Sequence, residues 1–130
     1  MNSRLKSVHS QLKQRNLDAL LVSLPANISY LVESLSRDSY LLVSEKENIY
    51  FTDSRYLEEA KVFLKDNAQL KECQGSVFKH IAQTVINLGF RKLGIEERYL
   101  PFAEFNKIKE AAKGSFDLIP THSIIEDRRQ

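Results

Sequence analysis

The groups in this chain that could do chemistry are few and scattered. His9, His80 and His122 fall in separate parts of the sequence. None belongs to a His-x-x-x-His or Cys-x-x-Cys pair, the spacings that bring two zinc ligands together. His9 and His80 sit among lysine and glutamine in helical patterns and are expected to face solvent. His122 precedes the terminal segment and receives no role. The single cysteine, Cys73, lies in "LKECQG" with no histidine spaced to take its proton, so a buried, inert thiol is expected. Four glycines, each read as an element end, leave nothing to build a phosphate-cradling loop, and no Gly-x-Ser-x-Gly elbow occurs.

Carboxylates are the remaining candidates, because clustered acids at strand ends can hold two magnesium ions for a nuclease. Asp18 stands at the entry to a first strand, Asp53 at the exit of a hairpin, Asp117 on a last strand, and Glu96 and Glu97 at the end of the one before. Entries and exits of neighbouring parallel strands lie at opposite sheet edges, so these acids are not expected to converge.

The densest polar group is in "IYFTDSRYLEEAK", Ile49 to Lys61, where an apolar run gives way to a charged helical pattern. Asp53 sits where an N-cap belongs. Its carboxylate can accept from the N–H of Arg55 or Tyr56 and its charge suits the positive helix end. Tyr56 opens the apolar face and Glu58 can pair with Lys61 one turn on. Arg55, a cation in the first helical turn, is expected to find a carboxylate elsewhere in the fold. A structural role is the expectation for the cluster.

The elements that must carry these groups follow from periodicity. Ser3 to Arg15 reads as an amphipathic helix with Leu5, Val8 and Leu12 on one face. Asp18 to Ser23, "DALLVS", is an apolar run expected of a strand buried on both faces. "NISYLVES" reads as a short helix ending near Glu33, and "YLLVS" and "NIYFT" around Glu45-Lys46-Glu47 as a hairpin. A helix to about Lys65 and the strand "AQLKECQ" follow. Ser76 then caps a helix that Gly89 ends, "KLGIEE" is a strand, and a helix runs from Pro101 to Gly114. "FDLIPT" is the last strand. This alternation predicts an α/β domain of three layers, α/β/α, with a mixed sheet of roughly five to six strands.

Composition is that of an ordinary globular domain: 130 residues, 42% hydrophobic and 28% charged, with a net charge of +2. Basic residues are mixed with acids, so no nucleic-acid partner is expected. No run approaches the roughly 18 apolar residues of a membrane span, and the start lacks a secretory core, so a cytoplasmic protein without membrane contact is expected. A lone cysteine agrees with a reducing compartment. "EDRRQ" at the end is too polar to finish a core. Residues 1–122 are read as one domain and 123–130 as the start of a junction to a further one.

"LDALLVSLPANISYLVE", the hairpin and "FTDSRYLEEA" together resemble the amino-terminal domain of the creatinase, prolidase and Xaa-Pro aminopeptidase family. Asn27, Ile28, Tyr30 and Leu31 match its "N-I-x-Y-L" segment. Asp53, Ser54, Arg55 and Tyr56 match its "D-S-R-Y" turn. "KLGIEE" resembles a late strand of that domain, and "IIEDRRQ" the lead into the catalytic one. The resemblance implies a ribonuclease-H-like topology and a non-catalytic domain with no catalytic residue and no metal or other cofactor of its own. Two divalent metals, manganese or cobalt, would sit in a separate carboxy-terminal pita-bread domain. It also implies that catalytic domain as partner, a homodimer, and proline-containing peptides as substrates of the whole protein.

In relatives the loop equivalent to "LVESLSRDS" reaches a partner subunit's active site, which makes Glu33, Arg37 and Asp38 the candidate substrate-access residues here. The family's glycine-containing "Y-L-x-G-F-x-G-S" is replaced by the glycine-free "YLVESLSRDS". The alternative is a peptide- or protein-binding module of a family member that has lost catalysis.

Overall fold

The computed structural model describes residues 1–129. The terminal Gln130, the last residue of the expected junction, lies outside the described residues. Along the chain come α1 (Ser3–Gln14), β1 (Ala19–Val22), α2 (Pro25–Val32), β2 (Tyr40–Val43) and β3 (Ile49–Thr52). A 3₁₀ turn (Ser54–Tyr56) leads into α3 (Leu57–Leu64). Then follow β4 (Gln69–Glu72), α4 (Val77–Asn87), β5 (Lys92–Glu96), α5 (Phe102–Ala112), β6 (Asp117–Thr121) and α6 (Glu126–Arg129).

The strands form a six-stranded sheet in the order β4-β3-β2-β1-β5-β6. β2 runs antiparallel to both neighbours, while β3/β4, β1/β5 and β5/β6 are parallel. The sheet is mixed, as its single hairpin requires. Strand alternation then divides the core in two. Ala19, Leu21, Leu42, Phe51, Leu93 and Ile95 pack with α4 and α5 on one face. Leu20, Val22, Leu41, Val43 and Tyr50 pack with α1, α2 and α3 on the other.

Local chemistry explains most boundaries. Asn2 caps α1, its Oδ1 accepting from Leu5 N–H at 2.9 Å, and Leu5, Val8 and Leu12 are buried as the periodicity predicts. Pro25 begins α2, where its missing N–H costs nothing. Asp53 accepts from Arg55 N–H at 2.9 Å, but it caps a 3₁₀ turn, and α3 proper starts only at Leu57. Helix α5 stops at Lys113 and Gly114, both in the left-handed region.

Three expectations need correction. Ser76 occupies the N-cap position of α4 without any side-chain cap hydrogen bond. Gly94 is mid-strand in β5, not at an element end; a Cβ there would lie 3.0 Å from Leu17 Cδ1 and 3.1 Å from Thr121 Cγ2, so close packing reserves the site for glycine. His9 does not simply face solvent: its Nε2 lies 3.0 Å from Asn48 Oδ1, inside the contact between α1 and the hairpin. His80 faces solvent as expected, its Nε2 lying 2.9 Å from the Gln74 carbonyl in an exposed contact. Among the described residues no helix is long and apolar enough to cross a membrane.

Candidate functional site

Register gathers the candidates at one edge of the sheet. Leu21 pairs with Ile95, so Ser23 and Leu24 leave β1 beside Glu96. Tyr40 pairs with Phe51, so the 33–39 loop enters the sheet beside Thr52 and Asp53. Two polar groups result, one exposed and one buried.

The exposed group joins the 33–39 loop to the start of α3. Arg55 forks onto Asp53, with Nε 3.1 Å from Oδ1 and Nη2 2.7 Å from Oδ2, and its Nη2 also reaches Asp38 Oδ2 at 3.4 Å. The expected distant carboxylate is therefore the weaker partner, and the stronger one is two residues away. Arg55 also lies over the Tyr56 ring, 4.9 Å from its centroid. The hydrogen bond from Arg55 holds the Asp53 carboxyl below its ordinary value, and Asp53 in turn raises Arg55. Arg37 approaches Glu59 at 3.9 Å.

Glu33 ends α2 in the left-handed conformation (φ 57°), and Asp38 has a positive φ of 40°, so non-glycine residues make turns that glycine would make without strain. Glu33, Arg37 and Asp38 are all exposed, and Leu35 at the loop tip is 67% exposed. The loop's middle and its far end are buried instead: Ser36 and Ser39 lie inside, Ser36 N–H donates to Ser29 Oγ at 3.0 Å, and Tyr40 donates to Glu104 on α5.

The buried group was not foreseen. Glu96, at the end of β5, is only 6% exposed. Its Oε1 accepts from Ser23 N–H at 2.7 Å and Leu24 N–H at 3.0 Å, and its Oε2 accepts from Asn27 Nδ2 at 2.6 Å. Asn27 Nδ2 also donates to Glu126 Oε1 on α6 at 2.9 Å, while Asn27 Oδ1 is buried without a partner. Burial, helped by the nearby Glu126 charge, raises the Glu96 carboxyl above its ordinary value, against the lowering effect of the three N–H donors. Tyr30, one turn after Asn27, donates its hydroxyl to Arg128 O at 3.0 Å and accepts Arg4 Nη1 at its carbonyl at 2.7 Å. Asn27 and Tyr30 thus tie α2 to α6, α1 and β5. Ile124 and Ile125 are buried beneath the same segment. The sequence signal was the pair of acids closing "KLGIEE", the first of which still belongs to the strand and so can turn inward.

The other acids and histidines do not join these groups. Asp18 Oδ2 accepts from Arg91 and Lys92 N–H at 2.8 and 2.9 Å, which clamps the opposite ends of β1 and β5. His122 pairs with Glu97 at 3.4 Å in solvent, and Cys73 is buried, with burial raising its thiol. Among the described residues no group of three His, Cys, Asp or Glu side chains is placed to hold a metal ion.

The sequence profile of the Creatinase/Prolidase N-terminal domain matches residues 4–130. An uncharacterized peptidase of Bacillus subtilis, YqhT, is 25% identical over 126 residues, 97% of this chain and 35% of that protein. An Xaa-Pro dipeptidase from Bacillus anthracis superimposes with a TM-score of 0.89 at 25% identity, over 97% of this chain and 35% of its own. The N-terminal domain of the cytoplasmic peptidase PepQ from Mycobacterium tuberculosis gives 0.89 at 25% identity, over 98% of each chain. The chain spans 35% of the length of the curated relative it matches. It belongs to the creatinase/prolidase N-terminal domain family.

Proposed function

As a member of that family, the chain is, we propose, the non-catalytic amino-terminal domain of an Xaa-Pro dipeptidase or aminopeptidase of the cytoplasm. Its task is dimer formation and control of access to a metal site in a carboxy-terminal domain. The observation that carries this reading is the match over 4–130 joined to a fold overlaying about a third of an Xaa-Pro dipeptidase. Residues 1–122 form the domain proper in this reading, and 123–130 lead into the catalytic part.

A peptide bond before proline lacks an N–H and resists general peptidases, so a dedicated enzyme needs a pocket that admits the right termini. Manganese or cobalt bound in the other domain supplies an activated water. This chain's share is positional. Arg37 offers a guanidinium to a substrate carboxylate, while Glu33 and Asp38 offer carboxylates to an ammonium, all from a loop anchored at its middle by Ser36 and at its far end by Ser39 and Tyr40.

The test expresses the reading frame through and beyond Gln130, alongside the 130-residue chain. The longer product should cleave Xaa-Pro peptides with manganese or cobalt, and the chain alone should be inert. Turnover by the chain alone that survives repurification would overturn the proposal. A longer product that binds peptide without cleaving it would establish the binding-module alternative instead.

A further inference from the structure

β1 and β5 are adjacent and parallel, yet the chain leaves them to opposite faces of the sheet: α2 packs in one core cluster and α5 in the other. Such a switch point opens a crevice outside the strand ends, and α/β sheets commonly bind ligands there. In this molecule the crevice is filled from within. Backbone N–H groups of Ser23 and Leu24, at the start of α2, converge with Asn27 Nδ2 on the two oxygens of Glu96 at 2.6–3.0 Å. Three donors aimed at two oxygens, with the positive end of a helix behind them, are the ordinary construction of a carboxylate site.

We propose that Glu96 is an internal ligand: its carboxyl group occupies an anion site built by Ser23, Leu24 and Asn27, and thereby positions α2 and the 33–39 loop that follows it. The inference goes beyond the access role above and stands whether or not that loop caps a peptidase site. Three features support it. Glu96 is the one acid among those at the sheet edges that is buried, with 6% exposure. It joins residues 69 and more positions apart, so it fixes the approach of α2 to β5, which sequence neighbours do not. Asn27 is fully buried with its oxygen unpartnered, a cost accepted where the amide must present its N–H groups to Glu96 and Glu126. Glu96 is a positioning residue in this account, and an anion supplied from solution should replace its side chain once that is removed.

The experiment uses the 130-residue chain with Glu96→Ala and, as a control, Ile95→Ala, which opens a cavity on the opposite face without N–H donors. Sodium acetate is compared with sodium chloride at equal ionic strength, reading thermal midpoint and amide hydrogen exchange. Glu96→Ala in chloride should speed exchange at Ser23 and Leu24 roughly tenfold or more, the loss expected when N–H groups forfeit a charged acceptor. Acetate should slow that exchange and raise the midpoint saturably in Glu96→Ala, leaving the unmutated chain and Ile95→Ala unmoved. An equal acetate response in all three proteins, or exchange at Ser23 and Leu24 unaltered by the substitution, would overturn the proposal. If Glu96→Ala folds only in acetate, the proposal is supported. If it folds in neither salt, Glu96→Asp, which keeps a shortened carboxylate, carries the test, and an acetate response no larger than that of the unmutated chain overturns the proposal.

Discussion

Two polar groups at the same sheet edge answer to opposite physics. Around Arg55 the charges lie in solvent, pair mostly with sequence neighbours and are screened. Around Glu96 the acid is buried and its partners come from remote parts of the chain. Their carboxyls consequently shift in opposite directions: Arg55 lowers Asp53, whereas burial raises Glu96. The contrast shows where the molecule stores stability and where its surface is free for another task. A charged motif in a family-matching turn is held by its neighbours, while an inconspicuous strand-end glutamate holds the architecture.

The strongest way to break that contrast is to remove Asn27. Asn27→Ala takes a donor from buried Glu96 and leaves Glu96 and Glu126 facing each other, so a loss of about 3 kcal/mol in urea denaturation is expected. An unchanged midpoint would reduce the buried group to decoration. Gly94→Ala tests the strand that carries Glu96. Its Cβ would press on Leu17, Leu20 and Thr121, of which Thr121 is tethered to Ile95 O at 2.8 Å. Overpacking of this size costs about 1 kcal/mol, and the same denaturation series reads it.

Titration separates the two groups by sign. The folded value of Glu96 lies above its ordinary 4.5, so the folded state holds its proton more tightly than the unfolded chain. The stabilisation linked to the neutral carboxyl is complete below 4.5 and is lost as pH rises through the folded value. Asp53 is the reverse: its stabilisation is present above 3.8 and lost as pH falls through a folded value lower than that. Glu96→Gln should flatten the decline on the alkaline side and Asp53→Asn the decline on the acid side. Denaturation midpoints across a pH series would show whether each slope disappears with its own residue.

What the sequence made legible and what it hid follow the same division. The Asp53 cap, the α1 face of Leu5, Val8 and Leu12, and the Gly114 stop depend on residues within a few positions of one another, and patterns carry such information. The mixed three-layer sheet followed from the order of elements. The tie between Asn27 and Glu96 spans 69 positions and required the β1/β5 pairing to be known first. Arg55 misled for the opposite reason: a fork onto a residue two positions earlier depends on a 3₁₀ turn in place of an α-helix. Gly94 was hidden because close approach is set by the side chains of Leu17, of Leu20 on β1 and of Thr121 on β6.

The smallest stability effect carries the functional claim. Arg37 and Asp38 are exposed, their carboxylate and guanidinium contacts are 3.9 and 3.4 Å, and removing both charges should change stability by no more than about 0.5 kcal/mol. The most direct measurement pairs Arg37→Gln and Asp38→Asn in one variant, reads its denaturation midpoint in this chain, and reads KM and peptide-length preference in the longer protein. The account predicts an unmoved midpoint with altered KM or length preference. A large loss of stability with unchanged kinetics would contradict it, and would make the loop a part of the fold alone.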